Sequence, residues 1–312
     1  MVLVQYKNMQ WFFIALGAQF LWALSNISDQ YLVAKYSIGR RGSGGLVLFS
    51  SLIGIFVALA IGIFTSGIFA IPILDKFLLI LAGGITIAWV ILYLFALELE
   101  GVSSVVPWFL TVPIFGYIFG YIFLHETLSF QQLLGSVVVL FGVLLISVDF
   151  SEQKKKLNWR PALYMLSACL LISTIGIIFK YVTIGNNFWI SSFWEYAGLG
   201  FFGVLIFVFI PKYRNEFMLM NKQGGRKIFT LNTVSEILTI IGNLLTNYAI
   251  LLAPVAMVYL VSSFQPAIVL FMTLLTTKFF PNIAKENLKG CLLLSKIIAI
   301  LIMIAGSVIL FL

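Results

Sequence analysis

Charge is scarce in this chain. Of its 312 residues only 10% are Asp, Glu, Lys or Arg, against about 25% in a typical soluble domain. There is one histidine, His125, and there are two cysteines, Cys169 and Cys291. A lone histidine excludes a multi-histidine metal site, and two cysteines set inside apolar runs imply no disulfide framework. The longest polar stretches, 211–227 and 281–291, are too short for a soluble domain. No phosphate-binding loop is present, which argues against an ATP-driven pump. No nucleophile–base pair is evident either, so the chain is read as a non-enzyme that needs no cofactor. What remains is 62% hydrophobic, more apolar surface than a soluble fold of this length can hide. Lipid must be part of its solvent.

A membrane-crossing helix takes about 20 mostly apolar residues. The sequence offers ten such stretches, near 11–31, 45–65, 77–98, 102–124, 129–148, 160–181, 188–210, 228–252, 254–279 and 292–312. Trp11, Trp159 and Trp189 stand near proposed ends, where an aromatic belt belongs. The apolar run after Lys7 imitates a signal peptide, but the repeat described below requires it as a helix. Ten spans place sixteen of the nineteen Lys and Arg residues on one side, in the groups Lys35–Arg41, Lys154–Arg160, Lys212–Lys227 and Lys278–Lys296; only Lys7, Lys76 and Lys180 fall on the other. The positive-inside rule then puts both termini outside the cell (inner) membrane. The same distribution accounts for the net charge of +8 without a nucleic-acid partner. Lys154, Lys155 and Lys156 read as a solvated loop near anionic lipid.

The chain also matches itself weakly. At an offset of 153 residues Ala96-Leu97 falls on Ala249-Ile250 and Pro113 on Pro266. Gly142 and Gly306 match at an offset of 164, which implies an insertion around 280–290. The expected organisation is therefore two five-helix repeats, 1–150 and 151–312. Because five is odd, the second enters the membrane inverted. Inverted repeats are a recurrent transporter architecture, with the substrate site near the midplane between the halves.

Several segments resemble the drug/metabolite transporter superfamily, in particular its ten-helix EamA-type branch. WFFIALGAQFLWALSN resembles that family's opening helix. ALELEGVSSVVPWFLTVPIFGYIFGYIFLHETLSFQQLLGSVVVLFGVLLIS resembles its closing three-helix stretch, including the turn at Glu126-Thr127-Leu128. The second half is similar through AILLAPVAMVYLVSSFQPAIVL, then departs: Phe279 stands in place of the acidic residue, and PNIAKENLKG is inserted. The resemblance implies alternating-access transport of a small metabolite. It also implies cytoplasmic termini, which the Lys and Arg distribution contradicts; oppositely oriented relatives are a feature of the superfamily, and the distribution is followed here.

Polar residues inside spans mark candidate sites, because ionisable groups there are expensive. In the first helix Gln19, Trp22, Asn26 and Asp29 are spaced to share one face, as are Asn232, Glu236, Thr239, Asn243 and Asn247 in the eighth. Trp89 and Tyr93 in the third helix, Trp108 in the fourth, Trp194 and Glu195 in the seventh, and Tyr259, Ser263 and Gln265 in the ninth complete a set of aromatic walls with sparse polar anchors, the composition of a small-molecule site. Ser and Thr side chains have a plainer use, bonding back to their own helix or joining helices together. The tryptophans serve equally as packing bulk, and Asp29 is also placed to pair with Lys35. Glu195 and Glu236 lie about 10 Å into their helices at 1.5 Å per residue. They are the coupling candidates with Asp29, holding either a proton or a cationic substrate. Lys180, near a span end, is expected to snorkel. Glu98, Glu100, His125 and Glu126 flank tight turns and are expected at the interface. Pro113 and Pro266, in equivalent positions, are expected to mark gating bends.

Three apparent motifs are set aside. The glycines from Gly198 to Gly203 fit a dinucleotide pattern, but no strand precedes them. His125-Glu126 lacks the second histidine of a zinc protease. Asn26-Ile-Ser28 fits a glycosylation sequon but lies inside a span. The reading is an all-α integral membrane protein that moves a small polar or amphiphilic metabolite, as a monomer or homodimer. The alternative is a non-transporting sensor or structural partner, in which the polar stripes only glue helices.

Overall fold

A computed structural model describes residues 9–36, 43–99, 105–147, 159–265, 267–268, 271–272 and 290–311. Among them every regular element is helical. In chain order these are α1 (Gln10–Tyr36), α2 (Ser43–Phe64), α3 (Ile73–Leu99), a 3-10 segment (Val106–Thr111), α4 (Val112–Leu124), α5 (Phe130–Ser147), α6 (Trp159–Thr183), α7 (Phe188–Phe209), α8 (Pro211–Leu252), α9 (Val255–Ser262) and α10 (Gly290–Phe311).

Five of these segments are by themselves long and apolar enough to cross a bilayer: Gly44–Phe64, Ile73–Ala96, Trp159–Thr183, Phe188–Phe209 and Phe229–Leu252. Shorter apolar helices, Gln10–Ser25, Trp108–Leu124, Phe130–Gly142 and Ile297–Ile309, stand beside them. Their outward faces carry large apolar side chains, such as Ile63 at 78% and Phe64 at 89% exposure. In water such a surface would be an aggregation liability; against lipid tails it is the solvated face.

Helix ends follow local chemistry. Ser129 and Gln132 form a reciprocal capping box at the start of α5: the Ser129 N–H donates to Gln132 Oε1 (2.9 Å) and the Gln132 N–H to Ser129 Oγ (3.2 Å). The Asn187 carbonyl side chain accepts the Trp189 N–H at 2.8 Å and starts α7. His125, left-handed at φ 54°, ends α4. The polar stretch 211–227 does not form a simple loop. Pro211 opens a helix there, as its fixed φ permits at a first-turn position. Phe217 packs on Phe49 and Phe207, and Glu216 accepts the Gly44 N–H at 3.0 Å. Gly225, at φ +58°, breaks the path before the helix resumes.

Helices pair across the midpoint of the chain. The most extensive pairings are α1 with α8, α3 with α6, α2 with α7 and α5 with α10, while α4 packs on α9. The α5–α10 contact is reciprocal. A Cβ on Gly142 would lie 2.7 Å from Met303 and 2.9 Å from the Ala299 carbonyl; one on Gly306 would lie 2.8 Å from the Val139 nitrogen and 3.0 Å from the Gly135 carbonyl. Close backbone approach through small residues is how lipid-embedded helices gain contact when no hydrophobic effect drives them together.

The turns gather at one end. Asn186, between α6 and α7, donates to Asp75 at the start of α3 (2.8 Å). Trp194 reaches back to the Ile68 carbonyl between α2 and α3 (2.7 Å). Lys180, near the end of α6, meets the α4–α5 and α8–α9 turns.

Candidate functional site

Polar side chains from α1, α2, α7, α8 and α9 converge inside this bundle. Glu195 on α7 is partly buried, and one of its carboxylate oxygens accepts the Asn247 amide N–H from α8 at 2.8 Å. The neighbouring Tyr196 is buried. Its hydroxyl bonds the Ile240 carbonyl at 3.4 Å and lies within hydrogen-bonding reach of Asn243. Tyr196 is within electrostatic range of Glu195 and Glu236, and Tyr259 within range of Glu195. Two sequence-predicted faces, on α7 and α8, thus meet at one carboxylate.

The α1 face joins from the other half of the chain. Gln19 is 2% exposed; its amide nitrogen donates to Ser262 Oγ on α9 at 3.0 Å, while its carbonyl oxygen is buried without a hydrogen-bond partner. The Trp22 indole lies on Gly242, where a Cβ would collide with it, and its Nε1 is likewise buried and unpartnered. Ser263 on the turn after α9 is 6% exposed with an unpartnered hydroxyl, and Gln265 beside it is half-buried. A buried donor or acceptor without a partner is costly. Three of them on facing helices mark the places where a polar ligand would be welcome.

Other predicted residues are placed differently. Glu236 is bonded by Ser50 of α2. The rings of Trp89 and Tyr93 lie tilted to each other with centroids 6.3 Å apart, and Tyr93 meets Phe109 at 5.6 Å. Tyr93, Phe109 and Trp108 pack against the main core. Tyr259 is not free to hold a ligand with its hydroxyl, which donates to the Ile172 carbonyl at 3.0 Å while the ring fills the space above Gly176. Trp194 departs from the predicted cluster: its indole is held by the α2–α3 turn, against Phe69 and under Lys76. Pro113 is buried at the start of α4, directly after the 3-10 segment. The side chains of Asn26 and Asp29, and residue Pro266, lie outside the described residues. A shallow apolar depression over Tyr117, Ile118, Tyr121 and Ile122 sits on the outer face of α4 and holds none of the predicted residues.

One expectation needs correction. Lys180 does not snorkel. It is 7% exposed, forms an ion pair with Glu126 Oε1 at 2.6 Å and donates to the Ala253 carbonyl at 2.6 Å. Glu126, on the α4–α5 turn, is its partner, and its other oxygen accepts the Val255 N–H at 2.9 Å. Tertiary contact brings the lysine a partner that no periodicity on its own helix could reveal. Sequence reasoning also missed Ser25, whose hydroxyl shares hydrogen bonds with Ser235 (2.8 Å) and Thr239 (2.7 Å), and Ser50. Single serines in apolar helices carry no pattern from which pairing can be read.

Residues 9–148 match the family model described as the EamA-like transporter family. No curated protein matches the chain. One solved crystal structure is similar at a TM-score of 0.68 and 14% identity, covering 97% of this chain and 96% of that one. At that identity the likeness speaks for the fold alone. The family consists of transporters, consistent with a chain that is not an enzyme. Residues 9–148 thus resemble the EamA-like transporters of the drug/metabolite transporter superfamily, and the chain carries the apolar helices of a multi-pass membrane protein.

Proposed function

We propose that the chain is a ten-span secondary transporter whose halves, 1–150 and 151–312, are inverted repeats that rock about a shared site. The helix pairing supports this reading. In a five-helix repeat α1 corresponds to α6 and α3 to α8, so the α1–α8 pairing has α3–α6 as its counterpart; the other main pairs each join a helix to its own equivalent. The reciprocal contacts of Gly142 and Gly306 fall at the same 164-residue offset as their sequence match. The substrate is a small polar or amphiphilic metabolite, and transport is by alternating access. The termini lie outside, as the Lys and Arg distribution requires.

The observation that carries the site is Glu195, held by the neutral Asn247 amide between two tyrosines. A carboxylate fixed by an amide keeps capacity for a second partner, either a coupling proton or a cationic group of the substrate. Gln19 and Ser263 supply further polar atoms from α1 and the turn after α9. Pro113, where the 3-10 segment passes into α4, is the described gating bend.

Thermal unfolding of purified protein against amino acids, amines, nucleosides and sugars, at pH 5.5 and 7.5, tests the reading. Ligand at a hundred times its Kd should add about 2.7 kcal/mol of stability. Glu195→Gln should abolish the shift for a cationic ligand, or abolish proton dependence while retaining ligand binding. Unchanged behaviour in both respects would remove Glu195 from the site. The rival, a non-transporting membrane protein, draws on the Ser25–Ser235–Thr239 cluster, which joins α1 to α8 with every hydroxyl engaged. That part of the polar stripe is helix glue under either reading.

A further inference from the structure

The Glu126–Lys180 pair has a position that packing alone does not require. It closes a ring with the break between α8 and α9. Ala253 ends α8 in extended conformation, Pro254 has no N–H to give, and Val255 begins α9. Such a break frees a carbonyl on one side and an N–H on the other, and neither finds water where Ala253 and Val255 are buried. Lys180 Nζ takes the Ala253 carbonyl, Glu126 Oε2 takes the Val255 N–H, and the two side chains join through Glu126 Oε1. Both are nearly enclosed, with side-chain exposures of 9% and 12%.

The ring crosses the halves. Glu126 stands on the α4–α5 turn of residues 1–150, whereas Lys180 and the α8–α9 turn belong to residues 151–312. The sequence does not copy its acidic member in the second half. At the 153-residue offset the counterpart of Glu126 is Phe279, which can neither pair with a lysine nor accept an N–H. We propose that Glu126 and Lys180 form a latch that holds the two halves together at the end bearing the α4–α5, α6–α7 and α8–α9 turns, and that this end opens only when the pair separates. The inference rests on the transport reading above. It adds the two residues that fix which end is closed at rest. Opening there strands a lysine, a carboxylate and two backbone groups at once.

The test uses the full chain in proteoliposomes, with Cys169 and Cys291 replaced by alanine and serine. Spin labels at Thr127→Cys and Ile184→Cys, both exposed, flank the pair and report its separation. Separately, Ser263→Cys reports access to the interior by reaction with a membrane-impermeant maleimide. The variants are Glu126→Gln, Lys180→Met and the double substitution, which leaves no unpaired buried charge and guards against simple misfolding. The latch predicts a second, longer distance population in the double variant. It also predicts about tenfold faster labelling from the latch end, as a population shift of that size requires, without faster labelling from the other end. A folded double variant with unchanged distances and labelling overturns the proposal. So does a double variant that cannot be recovered folded, because the pair is then a staple of the fold. Neither readout needs a substrate. Uptake of the same metabolite panel by the unmodified chain is scored apart: absent uptake defeats the transport reading, while uptake with unchanged distances defeats only the latch.

Discussion

Two carboxylates inside this bundle receive opposite treatment. Glu126 has a lysine on one oxygen and a backbone N–H on the other. Glu195 is held through one oxygen by the neutral amide of Asn247. The first is saturated by its own protein and joins three turns; the second is oriented but not neutralised. A charge taken out of water is kept only where partners compensate it, so a carboxylate held by an amide alone is the one suited to a transient partner. One residue type thus serves the fold at Glu126 and, in the proposed reading, transport at Glu195, separated by what faces it.

The largest expected effect attacks the saturated member. Lys180→Met leaves Glu126 enclosed without its cation and should destabilise the protein by about 3–5 kcal/mol, the usual cost of breaking one side of a buried pair. Chemical unfolding in detergent measures it. Glu126→Gln combined with Lys180→Met should recover most of that loss, and equal losses in the single and double variants would mean the charges do not compensate each other. Glu195→Gln is the matched experiment at the other carboxylate. Ligand affinity should fall on the order of ten- to a hundredfold, the worth of a hydrogen bond to a charged group, while the unfolding midpoint of the ligand-free protein stays near that of the parent. A lowered midpoint with unchanged affinity would move Glu195 into the structural class of Glu126.

Smaller effects sharpen the rest of the contrast. Gly142→Ala and Gly306→Ala press on the α5–α10 contact from its two sides and should each cost about 1–3 kcal/mol through overpacking. Similar losses in the two variants would support equivalence of the halves, and a large cost in one with none in the other would count against it. Tyr259→Phe removes only the bond to the Ile172 carbonyl and should cost about 0.5–1.5 kcal/mol, with ligand affinity unchanged. A loss of affinity instead would return the Tyr259 hydroxyl to the binding site.

Composition alone determined that this chain lives in lipid, because apolar excess and scarce charge leave no other solvent. Period determined which residues share the polar faces of α1 and α8, Gln19 with Trp22 and Asn243 with Asn247, since a 3.6-residue turn fixes which side chains share a face. The weak self-match aligned Gly142 with Gly306 but did not reveal their contact across α5 and α10. Partners across helices were beyond its reach. Lys180 read as an interfacial lysine and Glu126 as a turn residue, although the fold encloses them against each other 54 positions apart. Trp194 shared a helix with Glu195 yet points to the α2–α3 turn, because adjacent residues on a helix face about 100° apart. Which buried polar groups are satisfied and which remain open was decided only by tertiary structure, for a hydrogen bond over 2.8 Å depends on positions that the chain's local pattern does not encode.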